Sequence, residues 1–318
     1  MARRLTVLDD YQGVATTSAD WSALRDVFDI DVVREHLEGD ELLARIASSE
    51  VIVAMRERTG FPAEVMASLP ALRLLVTTGM RNASIDLDAA AHHGIVVTGT
   101  GSAGNSVPEL VFGMAIALTR HFVQEDAAIR AGGWQHTIGP GLSGLTLGVL
   151  GLGRLGIPVA RLGLAFGMNV VAWSRSLTAA RAAEHGVTAV SRDALFAESD
   201  ILTVHLPLTA ETRGLIGRDE LALMREDAYL INTSRGPIVD ESALLDALRH
   251  RRLAGAALDV YDVEPLPTDH PLRSAPDTLL LPHIGYVTTD NYRAFYADAV
   301  EDVLAYLAGV PVRVLSSR

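Results

Sequence analysis

Apolar residues fall along the chain in two alternating rhythms. Short runs rich in Val, Ile and Leu, at 5–9 (LTVLD), 29–33 (DIDVV), 51–55 (VIVAM), 72–77 (LRLLVT) and 94–98 (GIVVT), read as strands. Between them, LEGDELLARIAS and FPAEVMASLP space their apolar residues for one face of a helix. One long helix is expected from about 105 to 131, capped by Asn105 or Ser106, with Pro108 tolerated in its first turn. Beyond it the alternation resumes, with strands expected at 146–151 (TLGVLG), 169–173 (NVVAW), 200–205 (DILTVH), 228–233 (AYLINT), 255–260 (GAALDV) and 278–282 (TLLLP). A last amphipathic stretch, 290–309, reads as a helix. Strand–helix alternation implies parallel sheets covered by helices on both faces. Two such series separated by a long helix imply two α/β domains.

Composition narrows the function classes. The 318 residues are 49% hydrophobic and 21% charged, as expected of a water-soluble chain with a substantial core. A net charge of −12 argues against nucleic acid as a partner, because phosphate binding needs a basic face. There is no cysteine, which excludes disulfides, thiolate metal sites and cysteine nucleophiles. Two arginines, four uncharged residues and two aspartates near the start leave an apolar stretch too short for a secretory leader. The run LVFGMAIALT (110–119) is too short to span a bilayer and reads as buried helix. The expected address is the cytoplasm, with no membrane partner.

The pattern G-x-G-x-x-G occurs twice, at 99–104 and 151–156, so the pattern alone decides nothing. The fingerprint works inside a βαβ unit, where a helix N-terminus faces a pyrophosphate and a second strand brings a ribose-binding residue. Residues 146–176 supply all three parts; residues 99–104 lead only into helix and read as a flexible junction. The dinucleotide turn is therefore placed at Gly151, Gly153 and Gly156. The second strand ends in Ser174 and Arg175 rather than in the carboxylate that normally takes the ribose hydroxyls. A hydroxyl and a fixed positive charge suit a 2′-phosphate, and one charge-assisted hydrogen bond contributes about 1.5–3 kcal/mol. The expected cofactor is NADP(H), with NAD(H) as the alternative.

Five segments in order resemble the D-isomer-specific 2-hydroxyacid dehydrogenase family: GLGRLG (151–156), HLPLTAETRGLIG (205–217), LINTSRGPIVDESALLDAL (230–248), AALDVYDVEP (256–265) and PHIG (282–285). The resemblance implies two Rossmann/flavodoxin-like parallel-sheet domains. A cofactor domain (100–285) is inserted into a substrate domain (1–99 plus 286–318). It implies a catalytic Arg235, Glu264 and His283. His283 is suited to give a proton to the developing alkoxide of a 2-oxo acid. Glu264 would bond the other ring nitrogen and favour imidazolium, and Arg235 can grip the substrate carboxylate. Each alone has a structural reading; the three together in these motifs point to catalysis. By the same resemblance Arg154 and Leu155 lend amides to the pyrophosphate, Asp259 meets the nicotinamide carboxamide, and Pro207, Thr212, Thr233 and Gly285 line the cofactor. Ordinary turn chemistry is the alternative for Pro207, Thr212 and Thr233.

Substrate contacts are expected from Arg56, Gly79, Met80, Arg81 and Arg235. Gly79 fits the first glycine of the family's substrate loop, but Arg81 stands where a second is usual, and either faces the substrate anion or points outward. The chain stops at 318, without the C-terminal regulatory domain of many phosphoglycerate dehydrogenases. Glyoxylate and hydroxypyruvate are therefore the leading substrates, ahead of phosphoglycerate. The family pairs as homodimers through the long helix and the segment after it. Trp134 fits the place where some relatives send an aromatic to the neighbouring active site; a core anchor is the other reading. Two rival readings are a formate dehydrogenase, against which Glu264 argues because that family carries glutamine there, and a nicotinamide-sensing corepressor-like binding protein. The acidic Asp259, Asp262 and Glu264 are not read as a metal site, since no histidine accompanies them at ligand spacing.

Overall fold

In the computed structural model, which describes residues 3–104 and 106–316, the chain divides into two compact units. The first comprises Met1–Gly104 and Val287–Arg318, the second Asn105–Tyr286.

The first unit runs β1 (Arg3–Val7), α1 (Ala15–Ser18), α2 (Ser22–Arg25), β2 (Phe28–Val32), α3 (Gly39–Ile46), β3 (Ser49–Ala54), α4 (Ala63–Ala67), β4 (Leu74–Thr77), α5 (Leu87–His92) and β5 (Val96–Gly99). Its sheet is parallel throughout, in the order β2-β1-β3-β4-β5. β4 is buried at every position and β3 at all but one, which is why they read as unbroken apolar runs rather than alternating ones. The late helix covering Thr289–Leu307 returns to this unit and packs on β4, burying Phe295 and Tyr296. Beyond β5, Gly101 donates its amide to Asp298 Oδ2 (2.7 Å) and Ala103 donates to Asn291 Oδ1 (3.0 Å) on that helix.

The second unit opens with α6 (Val107–Thr119) and α7 (Phe122–Arg130). It continues with β6 (Thr146–Leu150), α8 (Gly156–Ala165), β7 (Asn169–Trp173), α9 (Ala179–Ala183), β8 (Thr188–Ala189), α10 (Arg192–Glu198) and β9 (Ile201–Val204). Then come α11 (Arg218–Leu223), β10 (Tyr229–Asn232), α12 (Glu241–Arg249), β11 (Gly255–Leu258) and β12 (Thr278–Leu280). The parallel order β12-β11-β10-β9-β6-β7-β8 reverses direction between β9 and β6. Ligands of open α/β sheets bind in the crevice at the carboxyl ends of the strands where the order reverses. The late helix of the first unit is numbered α13 accordingly.

The expected helix 105–131 is two helices. The chain turns left-handed at His121 (φ 51°), and no glycine or proline marks the break. The cause lies in packing: α6 buries seven of its residues, whereas α7 buries none and leaves the core. Ser106 does not cap α6 with its side chain; its hydroxyl donates to the carbonyl of Gly285 (2.6 Å). Asn105, the other expected cap, lies outside the described residues. Trp134 is 74% exposed, which removes the core-anchor reading. Among the described residues no helix is long and apolar enough to cross a membrane.

Candidate active site

Three loops at the carboxyl ends of β10, β11 and β12 hold the expected catalytic residues Arg235, Glu264 and His283. After β10, buried Asn232 shapes the turn: its Nδ2 donates to the carbonyl of Arg235 (3.0 Å) and its Oδ1 accepts the amide of Ser234 (3.0 Å). The Ser234 hydroxyl donates to the carbonyl of Leu206, and Arg235 Nη1 donates to the carbonyl of Ser234 (2.8 Å). Gly236 lies against the next loop so closely that a Cβ there would stand 2.1 Å from the carbonyl carbon of Tyr261. Only glycine lets the Arg235 loop and the 259–264 loop meet.

His283 and Glu264 are brought together across the β11 and β12 loops. The imidazole Nδ1–H donates to Glu264 Oε2 at 2.6 Å, and Glu264 Oε1 accepts the amide of Tyr261 (2.9 Å). With Nδ1 engaged, Nε2 is the nitrogen left for a reacting oxygen. His283 sits at φ 53°, a left-handed conformation that L side chains rarely adopt and that clusters at functional positions. Asp259, 1% exposed, fixes the backbone behind it by accepting the amides of Ile284 (2.7 Å) and Gly285 (2.8 Å). Burial pushes the Asp259 carboxyl up to about 6, while those two amides and His283 act to lower it.

The crevice between β6 and β9 fits a dinucleotide. A Cβ on Gly151 would come within 2.9 Å of the carbonyl of His205, and one on Gly156 within 2.0 Å of the carbonyl of Gly151, so strand, turn and helix close tightly. A Cβ on Gly153 would meet nothing within 4 Å. Among the described residues none accepts a hydrogen bond from the amides of Gly153, Arg154 or Leu155, which precede the N-terminus of α8. Two buried polar atoms at the strand ends are also unsatisfied within the protein, Thr233 Oγ1 and His205 Nδ1. A buried orphan is costly, and a bound polar ligand satisfies it. Burial pushes the His205 imidazole down to about 4 and keeps it neutral.

Other expected cofactor residues divide. Thr212 is buried and used by its own loop: its hydroxyl donates to the carbonyl of Pro207 (2.7 Å) and accepts the amide of Thr209 (2.8 Å). Ser174 is half-buried and Arg175 exposed at the end of β7. Arg175 stands near enough to Glu211 to help hold its carboxyl below the usual range, chiefly an effect of the Thr209 hydroxyl. Within the first unit, Arg56 and Gly79 are in contact: a Cβ on Gly79 (φ 88°) would overlap the Arg56 guanidinium. The Gly79 amide is taken by Thr100 Oγ1 (2.8 Å), while Met80 and Arg81 are exposed. Among the described residues no three His, Cys, Asp or Glu side chains group as a cation site.

The profile of the family described as D-isomer specific 2-hydroxyacid dehydrogenase, NAD binding domain, matches residues 112–285. The chain belongs to the D-isomer-specific 2-hydroxyacid dehydrogenase family. Its similarity extends beyond that domain. It is 39% identical over 256 residues to a glyoxylate reductase from Aeropyrum pernix, covering 77% of this chain and 76% of that one. It is 37% identical over 262 residues to a D-3-phosphoglycerate dehydrogenase from Bacillus subtilis, covering 81% of this chain and 50% of the relative. The chain thus spans about half the length of the curated phosphoglycerate dehydrogenases it matches. A crystal structure of a phosphoglycerate oxidoreductase from Vibrio cholerae O395 superposes with a TM-score of 0.91 at 32% identity, over 96% of this chain and 99% of that one.

In this member of the 2-hydroxyacid dehydrogenases, sequence reasoning passed over Asn232, Tyr261 and His205. Asn232 carried a readable signal, since Asn opening an Asn-Thr-Ser-Arg-Gly stretch favours an Asx turn closed on the amide two residues on. Tyr261 acts through its amide, which no side-chain pattern marks. His205 opens the HLPLTAETRGLIG segment, but nothing in that pattern shows that its ring is buried and its Nδ1 left without a partner among the described residues.

Proposed function

We propose that the chain is an NAD(P)-dependent D-2-hydroxyacid dehydrogenase acting as a 2-oxoacid reductase, on glyoxylate or hydroxypyruvate. The observation that carries the reading is the 2.6 Å bond between His283 Nδ1 and Glu264, which leaves Nε2 to serve a substrate oxygen. Bound nicotinamide would supply the hydride. Arg235 holds the substrate carboxylate in its planar fork and draws electron density from the neighbouring carbonyl. His283 Nε2 gives its proton to the developing alkoxide, and Glu264 stabilises the imidazolium before that transfer. Arg56, Gly79, Met80 and Arg81 contribute to substrate recognition, with the Gly79 amide already engaged by Thr100 and therefore acting through its shape.

Toward the cofactor, the amides of Arg154 and Leu155 would hold the pyrophosphate, Thr233 would line the crevice, and Gly285 and Asp259 would hold the nicotinamide end. Pro207 and Thr212 act by shaping the loop they close. Ser174 and Arg175 favour NADP(H) through a hydroxyl and a positive charge; Glu211 beside Arg175 moderates that preference. The chain pairs as a homodimer, which would cover the exposed apolar residues Phe122, Val123, Ile129, Trp134 and Ile138. The second reading is D-3-phosphoglycerate dehydrogenase activity, supported by the name of the Bacillus relative.

The test is oxidation of NADPH and NADH, side by side, with glyoxylate and hydroxypyruvate, and NAD(P)⁺ reduction with 3-phosphoglycerate. Preferred turnover of NADPH with the 2-oxo acids supports the reading. Turnover of 3-phosphoglycerate alone moves it to the second. No turnover with any of them removes it and favours a nicotinamide-sensing role.

A further inference from the structure

We propose that Tyr286 is a positioning residue that holds the His283 imidazole in line for proton transfer, acting through the ring that packs against it. The proposal rests on the reductase reading above and deepens it. Glu264 fixes one ring nitrogen, and Tyr261 in turn fixes Glu264. A single hydrogen bond at Nδ1 still allows the ring plane to tilt about the nitrogen–oxygen line. The proton leaves from Nε2, on the far side of that line, where a small tilt becomes a large misplacement. Productive proton transfer tolerates only about 0.5 Å of such error, so a second restraint off the line is needed.

The Tyr286 ring supplies it. Its centroid lies 5.6 Å from that of His283 with the planes at 71°, the edge-to-face arrangement that aromatic quadrupoles favour. Tyr286 is itself firmly placed by the two residues before it. The amides of Ile284 and Gly285 are held by the two oxygens of Asp259, and the Gly285 carbonyl accepts the Ser106 hydroxyl. A Cβ on Gly285 would crowd Asp259 Oδ2 (3.1 Å) and Val107 Cγ2 (3.3 Å), so the segment is pressed against α6 and Asp259. Pinned this way, the chain brings its next side chain back onto the imidazole. Asp259 thereby positions His283 twice, through the backbone it holds and through the ring that follows.

The test compares the full chain with Tyr286→Ala, Tyr286→Leu and Tyr286→Phe. Leucine keeps apolar volume without the aromatic ring and guards against a folding loss specific to alanine. The readouts are kcat against pH for 2-oxo acid reduction, cofactor affinity by fluorescence, and the NMR resonances of the His283 ring, assigned with His283→Gln. Ala and Leu are expected to lower kcat roughly three- to tenfold, the contribution of one aromatic pair. They should also move the His283 ring resonances and leave cofactor affinity unchanged. Phenylalanine should restore both kcat and the ring resonances. The proposal is overturned if Ala and Leu match wild type in pH profile and His283 resonances, or if Phe is as defective as Ala, which would assign the role to the hydroxyl. The NMR measurement needs no turnover. It decides this proposal even where wild type reduces no 2-oxo acid, an outcome that overturns the reductase reading separately.

Discussion

Residues 99–104 and residues 151–156 carry the same G-x-G-x-x-G pattern, yet their backbone amides go to different places. In the first turn, Gly101 and Ala103 donate to Asp298 and Asn291 of the protein itself. In the second, the amides of Gly153, Arg154 and Leu155 meet no acceptor among the described residues and lie at the start of the ten-residue helix α8. A carboxylate facing the first turn consumes one of its donors and repels any other anion. The second turn presents donors, a helix dipole and open space beside Gly153. An anion site is therefore defined by amides left unpaired at a helix N-terminus, and the glycines only permit the close approach that surrounds it.

The contrast can be broken by substitution, the largest effect being expected at Gly156. A Cβ there would overlap the carbonyl of Gly151, so Gly156→Ala should destabilise the protein by about 1–3 kcal/mol and lower cofactor affinity more than about tenfold. Gly101→Ala meets only the end of the Asp298 side chain and should leave cofactor binding intact. Urea unfolding and cofactor titration of the two variants check this; equal losses at both turns would erase the distinction.

His205, whose carbonyl abuts Gly151, sharpens the comparison through pH. Its imidazole is held neutral by burial, with a folded value of about 4 against about 6.5 when unfolded. A depressed histidine contributes stability that is present above about 6.5 and lost as pH falls toward 4. The loss reaches about 2–3 kcal/mol by pH 4.5. His205→Asn should remove that part of the acid dependence in unfolding measured at pH 7 and pH 4.5. An unchanged slope would mean that the ring is not desolvated.

Arg175→Ser should weaken NADPH by roughly ten- to a hundredfold and barely touch NADH, read by fluorescence titration of both. Matching losses would mean that the guanidinium never meets the 2′-phosphate. The smallest effect is expected from Gly153→Ala, which has room in the protein. It should keep the Tm and raise the cofactor Kd by roughly tenfold, the signature of space reserved for a ligand.

Much of this fold was readable because buried parallel strands are written as continuous apolar runs, as in ILTV and LLVT. The two-domain parallel-sheet reading and the family resemblance both agree with the structure and its relatives. What escaped the sequence is what depends on neighbours. The break at His121 has no glycine or proline to announce it; it follows from where α6 stops having a core to face. The Ser106 hydroxyl left its own helix for the Gly285 carbonyl, a partner 179 residues away. At the site, motifs named His283 and Glu264, but only the fold shows their contact. It also shows that Gly79 is required by the guanidinium of Arg56. Tyr286 lies one residue past the recognised PHIG motif, and its contact with the imidazole is invisible in the chain.

The central claim is that His283 protonates the product oxygen. The direct measurement is kcat of His283→Gln for 2-oxo acid reduction, together with its cofactor Kd. A fall in kcat of roughly 10²- to 10⁴-fold with cofactor affinity unchanged is the predicted result; an unchanged kcat in a folded, cofactor-binding variant would contradict the account.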